Sequence, residues 1–281
     1  MAVPKKGRLY DQVMKLLLGA GLEHHRPNRL DVAHCKNLPL TIVFLPASDI
    51  ASYVGEGNVD AGITGIDVVE ESELEVQRIM DLGFGKCKLC LQAPVTSGFK
   101  SPSQLAGKRV VTSFPNIARK YFDSLGELGK QTKIKYVSGS VEAACGLGLA
   151  DGIVDLVETG TTMKAAGLEV VSDIITTEAV MISSKTSRNP QVVELIKKRI
   201  QGYLTATNYM MIQYNVSREL LHLAVKITPG KRSPTVTVLE DGIAVAVSAL
   251  VLASQSSLIM DQLEGIGATD ILLFSISNSR M

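Results

Sequence analysis

The run D-G-I-V-D-L-V-E-T-G-T-T-M-K-A-A-G-L, residues 151–168, holds the residue types best suited to chemistry in this chain. Ile153, Val154, Leu156 and Val157 form a short apolar run interrupted by Asp155, and Thr159-Gly160-Thr161-Thr162 follows. Past the threonines the spacing turns helical until Gly167, which suits the position just after a helix. A buried strand passing through a Gly/Thr turn into a helix aims free backbone N–H groups and hydroxyls at one point. The first-turn amides lack partners and the helix dipole is positive there, so that point binds anions. Asp155 and Glu158 lie just upstream, placed to hold ribose hydroxyls or a phosphate-bound Mg²⁺. Acids beside a phosphate cup indicate a sugar phosphate rather than a bare anion. The local pattern also allows a plain strand-turn-helix connection with a Thr N-cap.

Other residues offer charge. In Pro4-Lys5-Lys6-Gly7-Arg8-Leu9, Lys6 and Arg8 flank a glycine where a short strand meets the helix expected from Tyr10 to Leu18. Two cations and free amides there could converge on a polyphosphate, or could form a solvated basic N-terminus. Thr112-Ser113-Phe114-Pro115-Asn116 is another strand-to-helix junction, where hydroxyls should cap the helix and could also meet a ligand. Gly62-Ile63-Thr64-Gly65 ends a D-x-G-I strand. Arg29, within N-R-L-D, reads as a surface residue. Cys87 and Cys90 match C-x-x-C, but no second ligand pair sits at zinc-site spacing and the segment reads as a strand. They are expected in a core or interface. The four histidines show no metal spacing, and no Ser/His/Asp or Cys/His nucleophile is indicated.

Two lobes are needed to position these groups. Strand-like and helical segments alternate through about the first two hundred residues, which is an α/β pattern. Residues 48–65 and 140–160 share an order: a capped helix, glycine, then a D-x-G-I strand ending at glycine. That internal similarity suggests two α/β lobes facing across a cleft. The change of lobe is placed in residues 91–102 by Q-A-P-V-T-S-G-F-K-S-P, and residues 174–183 should cross back, ahead of a helix over 191–206. The expected divisions are residues 1–92 with 178–201, residues 93–177, and residues 203–281. In the last, strand, helix, two strands around Glu240-Asp241-Gly242, helix and strand follow in turn. This is the ferredoxin-like βαββαβ unit.

Composition narrows the classes. Twenty-nine Lys+Arg against 28 Asp+Glu leave a net charge of +1, which argues against a nucleic-acid footprint. No apolar run reaches the roughly 20 residues of a membrane span. Met1-Ala2-Val3-Pro4-Lys5-Lys6 lacks the apolar stretch of a signal peptide, and four scattered cysteines make no disulfide scaffold. A cytoplasmic, reduced protein is expected.

The chain resembles the long-form ATP phosphoribosyltransferases that open histidine biosynthesis. The resemblance spans seven blocks in the family's order: P-K-K-G-R-L (4–9), G-E-G-N-V-D-A-G-I-T-G-I-D (55–67), D-L-G-F-G-K-C-K-L (81–89), G-K-R-V-V-T-S-F-P-N (107–116), residues 139–168, I-T-P-G-K-R-S-P-T-V (227–236) and G-A-T-D-I-L-L-F-S-I-S-N-S-R (267–280). F-L-P-A-S-D-I (44–50) is similar to the fungal version, where many bacterial members carry Arg before the acid. The family implies two periplasmic-binding-protein-like lobes around the active site and a ferredoxin-like regulatory domain. It implies transfer of a phosphoribosyl group from 5-phosphoribosyl 1-diphosphate to N1 of ATP, releasing pyrophosphate, with Mg²⁺. Matched by position, Thr159, Gly160, Thr161 and Thr162 would cup the 5-phosphate, Asp155 and Glu158 would hold the ribose, and Lys6, Arg8 and Gly65 would face ATP or pyrophosphate. Histidine inhibition would act at Asn215, Thr235 and Ala268. Asn215 departs from bacterial members that carry Asp there. The resemblance also implies dimers assembling into hexamers. The competing readings are a non-catalytic two-lobed small-molecule binder and another phosphosugar transferase.

Overall fold

A computed structural model describes residues 1–26, 30–240 and 242–280. Arg29, and Asp241 of the expected turn, lie outside the described residues. The chain divides into two units, Met1–Met14 with His24–Val193, and Lys15–Glu23 with Glu194–Met281. The second unit therefore begins at Glu194 rather than at residue 203, taking most of the helix expected in the first lobe, and it includes a short N-terminal stretch as well.

The first unit begins with β1 (Ala2–Pro4), α1 (Tyr10–Gly19, shared with the second unit), β2 (Val32–His34), β3 (Thr41–Leu45), α2 (Ala47–Gly55), β4 (Ala61–Gly65), α3 (Ile66–Ser72) and β5 (Val76–Asp81). The chain then builds a second sheet from β6 (Cys87–Pro94), β7 (Arg109–Thr112), α4 (Pro115–Asp123), α5 (Glu127–Lys130), β8 (Lys133–Tyr136), α6 (Ala143–Gly146), β9 (Gly152–Val157), α7 (Thr161–Ala165) and β10 (Leu168–Thr177). It returns at β11 (Ala179–Ser184) and leaves through α8 (Pro190–Asn208). The sheet orders are β2-β3-β1-β4-β11-β5 and β10-β6-β9-β7-β8.

Apart from the edge strand β2, the two sheets share one plan. In each, a parallel trio (β3-β1-β4 and β8-β7-β9) joins an antiparallel pair (β11-β5 and β6-β10). The helix-strand similarity at residues 48–65 and 140–160 thus corresponds to α2-β4 and α6-β9. The first sheet takes β11 from beyond the second, whereas the second is built from the consecutive strands β6 to β10.

The forward crossing falls at residues 82–86, not at 91–102. Leu89, Leu91 and Ala93 of β6 are buried with Val110, Val154 and Phe122 in the core of the second sheet. A boundary at residue 92 would expose that apolar face to water. The expected helix near residues 140–148 shrinks to the single turn α6, with Glu142 as N-cap.

The second unit contains β12 (Tyr209–Ser217), α9 (Leu221–Ile227), β13 (Thr235–Val238), β14 (Ala244–Leu252), α10 (Ser256–Gly265) and β15 (Thr269–Ser275). Its sheet order, β13-β14-β12-β15, is that of the ferredoxin-like fold. Ile212, Tyr214, Val216, Val245, Val247, Ala249 and Leu263 form its core, consistent with period-two alternation of β12 and β14. The buried Tyr214 hydroxyl is satisfied by Thr228 Oγ1 at 2.7 Å.

Candidate active site

In the first unit a cleft of about 540 Å³ opens beside the carboxyl ends of β1, β4 and β7, where side chains from loops and helix starts converge. Lys6, Arg8 and Gly65 line it together with Asp67, Glu71, Ser113, Phe114, Asn116 and Tyr136. Lys6 is exposed, whereas Arg8 donates from Nη1 to the carbonyl of Gly85 in the crossover. That bond fixes Arg8 at the rim. Gly65 is buried, and a Cβ built there would run into the carboxylate of Asp67, so a larger residue would displace that acid.

The threonine turn lies outside that lining, and β9 reaches the cleft through Leu156. Side chains alternate along β9: Val154 and Leu156 pack with Leu89 and Phe122, while Ile153 packs on the other face with Val111, Val141 and Met163. Asp155 shares the Ile153 face, toward α6 and α7. Its carboxyl accepts from Leu156 N–H at 2.8 Å. Burial is the main influence on it, with repulsion from Glu142 added, and together they raise its pKa from 3.8 to about 6. A carboxyl held out of water with one hydrogen bond is an energetic cost that a functional site commonly retains.

At the turn itself, Gly160 is the N-cap of α7 with φ +75°, a left-handed conformation natural to glycine. No side chain caps the helix, so the alternative reading of a Thr N-cap is corrected to glycine. Thr159 Oγ1 instead accepts weakly from Thr161 N–H at 3.4 Å and lies 3.0 Å from Thr161 Oγ1. Glu158, Thr159, Thr161 and Thr162 are all exposed. The hydroxyls and first-turn amides therefore face solvent together, available to an anion. With only five residues, α7 supplies little macrodipole, and local amides and hydroxyls carry the attraction.

Cys87 connects the two groups of residues. Its thiol feels the charges of Arg8, Asp67 and Glu158, so the basic rim and the acid of the threonine turn share the neighbourhood of the start of β6. Burial dominates and raises the Cys87 and Cys90 thiols to about 11 and about 12, which makes both poor nucleophiles. Neither forms a disulfide.

The junction at residues 112–116 differs from expectation. Thr112 Oγ1 donates to Val154 O and Ser113 Oγ donates to Val137 O, so neither hydroxyl caps α4 in the usual way. Glu71 caps it, accepting from the N–H groups of Asn116 (2.9 Å) and Ile117 (3.0 Å). Burial outweighs these bonds and raises the Glu71 carboxyl pKa. Asp67 and Glu71 are the residues that sequence reasoning did not single out. Their signal was the four-residue spacing on α3, which puts two acids on one helix face just after Gly65.

In the second unit, Asn215 on β12 pairs with Thr269 of β15, beside Ala268. Asn215 Nδ2 donates to Asp270 Oδ2 at 2.9 Å. Thr235 lies on β13, separated from β12 by β14, and its register partner is Ser248 rather than the residue opposite Asn215. Asn215 and Ala268 are thus brought together, while Thr235 is two strands away.

The family model described as ATP phosphoribosyltransferase matches residues 46–202, and the HisG C-terminal domain model matches residues 206–278. The chain belongs to the ATP phosphoribosyltransferase family. It is 50% identical over 283 residues to the ATP phosphoribosyltransferase of Yarrowia lipolytica and 46% identical over 284 residues to that of Saccharomyces cerevisiae. Each comparison covers 100% of this chain and 96% of the relative. Among solved structures, an ATP phosphoribosyl transferase (HisG:HisZ) complex from Thermotoga maritima aligns with a TM-score of 0.63 and 28% identity, covering 72% of this chain and 96% of that one. A Listeria monocytogenes chain described as an L-cystine ABC transporter aligns with a TM-score of 0.51 and 17% identity, over 73% and 90% of the two chains, a likeness of fold alone. ATP phosphoribosyltransferases are glycosyltransferases, and this member combines periplasmic-binding-protein-like lobes with a ferredoxin-like domain.

Proposed function

We propose that the chain transfers the 5-phosphoribosyl group of 5-phosphoribosyl 1-diphosphate to N1 of ATP, the first step of histidine biosynthesis. The adenine N1 lone pair forms a bond to ribose C1 while the C1–O bond to pyrophosphate breaks, and pyrophosphate leaves with that electron pair. The observation that carries this reading is a cationic rim, Lys6 and Arg8, together with an exposed acid-and-threonine turn whose Glu158, like Arg8, acts on Cys87. Two polyanionic substrates need two such regions. Thr159, Gly160, Thr161 and Thr162 cup the 5-phosphate, Asp155 and Glu158 hold the ribose hydroxyls, and Lys6, Arg8 and Gly65 border the ATP and pyrophosphate side. Positioning and charge stabilisation provide the rate, because the oxocarbenium-like transition state needs no covalent help from protein.

Among the described residues, no cluster of three or more His, Cys, Asp or Glu could hold a metal alone. Mg²⁺ is commonly held by one or two carboxylates plus substrate phosphates, and the oxygen donors Asp155 and Glu158 fit that pattern. Bound there with the diphosphate, Mg²⁺ supplies neutralisation of the leaving pyrophosphate.

Histidine is the inhibitor, taken up in the ferredoxin-like domain around Asn215 and Ala268. Asp270, bonded to Asn215, supplies the negative charge that Asn215 lacks. The protein works in the cytoplasm as dimers assembling into hexamers. No described helix is long and apolar enough to cross a membrane. Thermal shift tests the substrate assignment. 5-Phosphoribosyl 1-diphosphate with Mg²⁺ should raise Tm, by about 2.7 kcal/mol of stabilisation at a hundred times Kd. Stabilisation by uncharged ligands alone would contradict it.

A further inference from the structure

Helix α3 belongs to the first sheet's lobe, yet its carboxylates are spent on the second. Asp67, 2% exposed, accepts from Thr177 Oγ1 at 2.6 Å, and its N–H donates back to that oxygen at 3.1 Å. The preceding residue, Ile66, donates its N–H to Glu178 O at 3.1 Å. Residues 177 and 178 are where the chain passes from β10 back to β11, so the start of α3 is bound to the hinge. One turn later Glu71 accepts from Asn116 and Ile117 N–H, Asn116 Nδ2 donates to Glu71 O at 2.8 Å, and Glu73 pairs with Lys120 at 2.7 Å.

The cap of α4 is unusual in its source. A helix start normally takes its acceptor from its own N-cap residue, here Phe114, which offers none. The neighbouring hydroxyls of Thr112 and Ser113 donate to Val154 O on β9 and to Val137 O just past β8. Pro115 at the first position has no N–H, so Asn116 and Ile117 carry the exposed amides that need a partner. They have one only while the two lobes are together.

We propose that Glu71 is a positioning residue, a clasp that closes the lobes over bound substrates, with the Asp67–Thr177 pair as the pivot that stays made when the clasp opens. The pivot is buried and bonded in both directions, whereas the clasp sits at the mouth of the cleft, where water can replace it. Opening there widens the entrance beside Lys6 and Arg8, and closing it excludes water from the reacting atoms.

Hydrogen exchange of the full chain tests the clasp without reference to catalysis, and the kinetic arm alone rests on the proposed reaction. In Glu71→Ala, the amides of Asn116 and Ile117 should exchange about tenfold faster or more, while those of the later turns of α4 keep their rates. Glu71→Gln, which keeps one acceptor oxygen and the side-chain volume, should fall between Glu71→Ala and the unaltered protein. KM for both substrates should rise several-fold, more than kcat falls, because only the closed fraction binds productively. Unchanged exchange at Asn116 and Ile117 would overturn the proposal. So would acceleration throughout α4 and β7 in both variants, which marks a merely structural role, or a loss confined to kcat, which marks direct contact with substrate. A preparation without transferase activity would refute the reaction, leaving exchange to decide the clasp.

Discussion

On β9 the Asp155 carboxyl is largely removed from water, accepts one amide and faces Glu142, so ionising it in the folded protein is unfavourable. Raising its pKa from 3.8 to about 6 corresponds to roughly 3 kcal/mol at full ionisation, at 1.36 kcal/mol per pH unit. The sign follows from linkage. The folded state holds the proton more tightly than the unfolded one, so stability is greatest below about pH 4 for this group and declines as pH rises through about 6. Asp155→Asn keeps the shape and removes the ionisation. The variant should gain little at pH 4 and roughly 2–3 kcal/mol at pH 8, relative to the unaltered chain. For a chain of this size that is roughly 4–10 °C in Tm. Thermal unfolding of both proteins from pH 4 to pH 8 measures the gap directly. The same variant should lose about tenfold or more in kcat/KM, since a charged acceptor for ribose hydroxyls is gone. A Tm gap that is flat with pH, or that closes at pH 8, would refute the reasoning that burial dominates this carboxyl.

Thr161→Val should raise KM for 5-phosphoribosyl 1-diphosphate about tenfold or more while histidine inhibition is unchanged; a constant KM would move the phosphate cup elsewhere. Gly65→Ala should cost about 1–3 kcal/mol in thermal unfolding and weaken ATP binding, because the new Cβ displaces the Asp67 carboxylate from Thr177. Unchanged stability would mean that Asp67 is not held where the structure puts it. Asp270→Asn keeps a residue tolerant of its left-handed backbone, φ +50°, but removes the charge beside Asn215. It should weaken histidine inhibition about tenfold, read from initial rates at increasing histidine, and undiminished inhibition would place the effector elsewhere.

The parts legible in the sequence were those with local causes. The β9-turn-α7 unit is marked by an apolar run, a glycine able to adopt positive φ and a second glycine closing the helix, and each signal acts within a few residues. The ferredoxin-like unit is similarly punctuated by turn residues between its elements. The forward crossover was misplaced because β6 reads C-K-L-C-L-Q-A-P, a buried strand that fits either sheet, and sequence pattern does not say which sheet buries it. The stronger breakers after Pro94 drew the boundary past Gly83 and Gly85, where the chain in fact crosses. Asp67 and Glu71 were overlooked because acids on a helix usually mark a solvated face. Their meaning depends on Thr177 and Asn116, 110 and 45 residues along the chain respectively, and only the packed lobes bring those partners together. The α4 cap shows the same limit, since Thr112 and Ser113 are plausible local caps until their long-range acceptors are seen.

The most direct test of the central claim is ultraviolet absorbance of the purified chain mixed with ATP, 5-phosphoribosyl 1-diphosphate and Mg²⁺. The account predicts a rise that requires both substrates together and is matched by pyrophosphate release. No rise, with pyrophosphate release also absent, would contradict it.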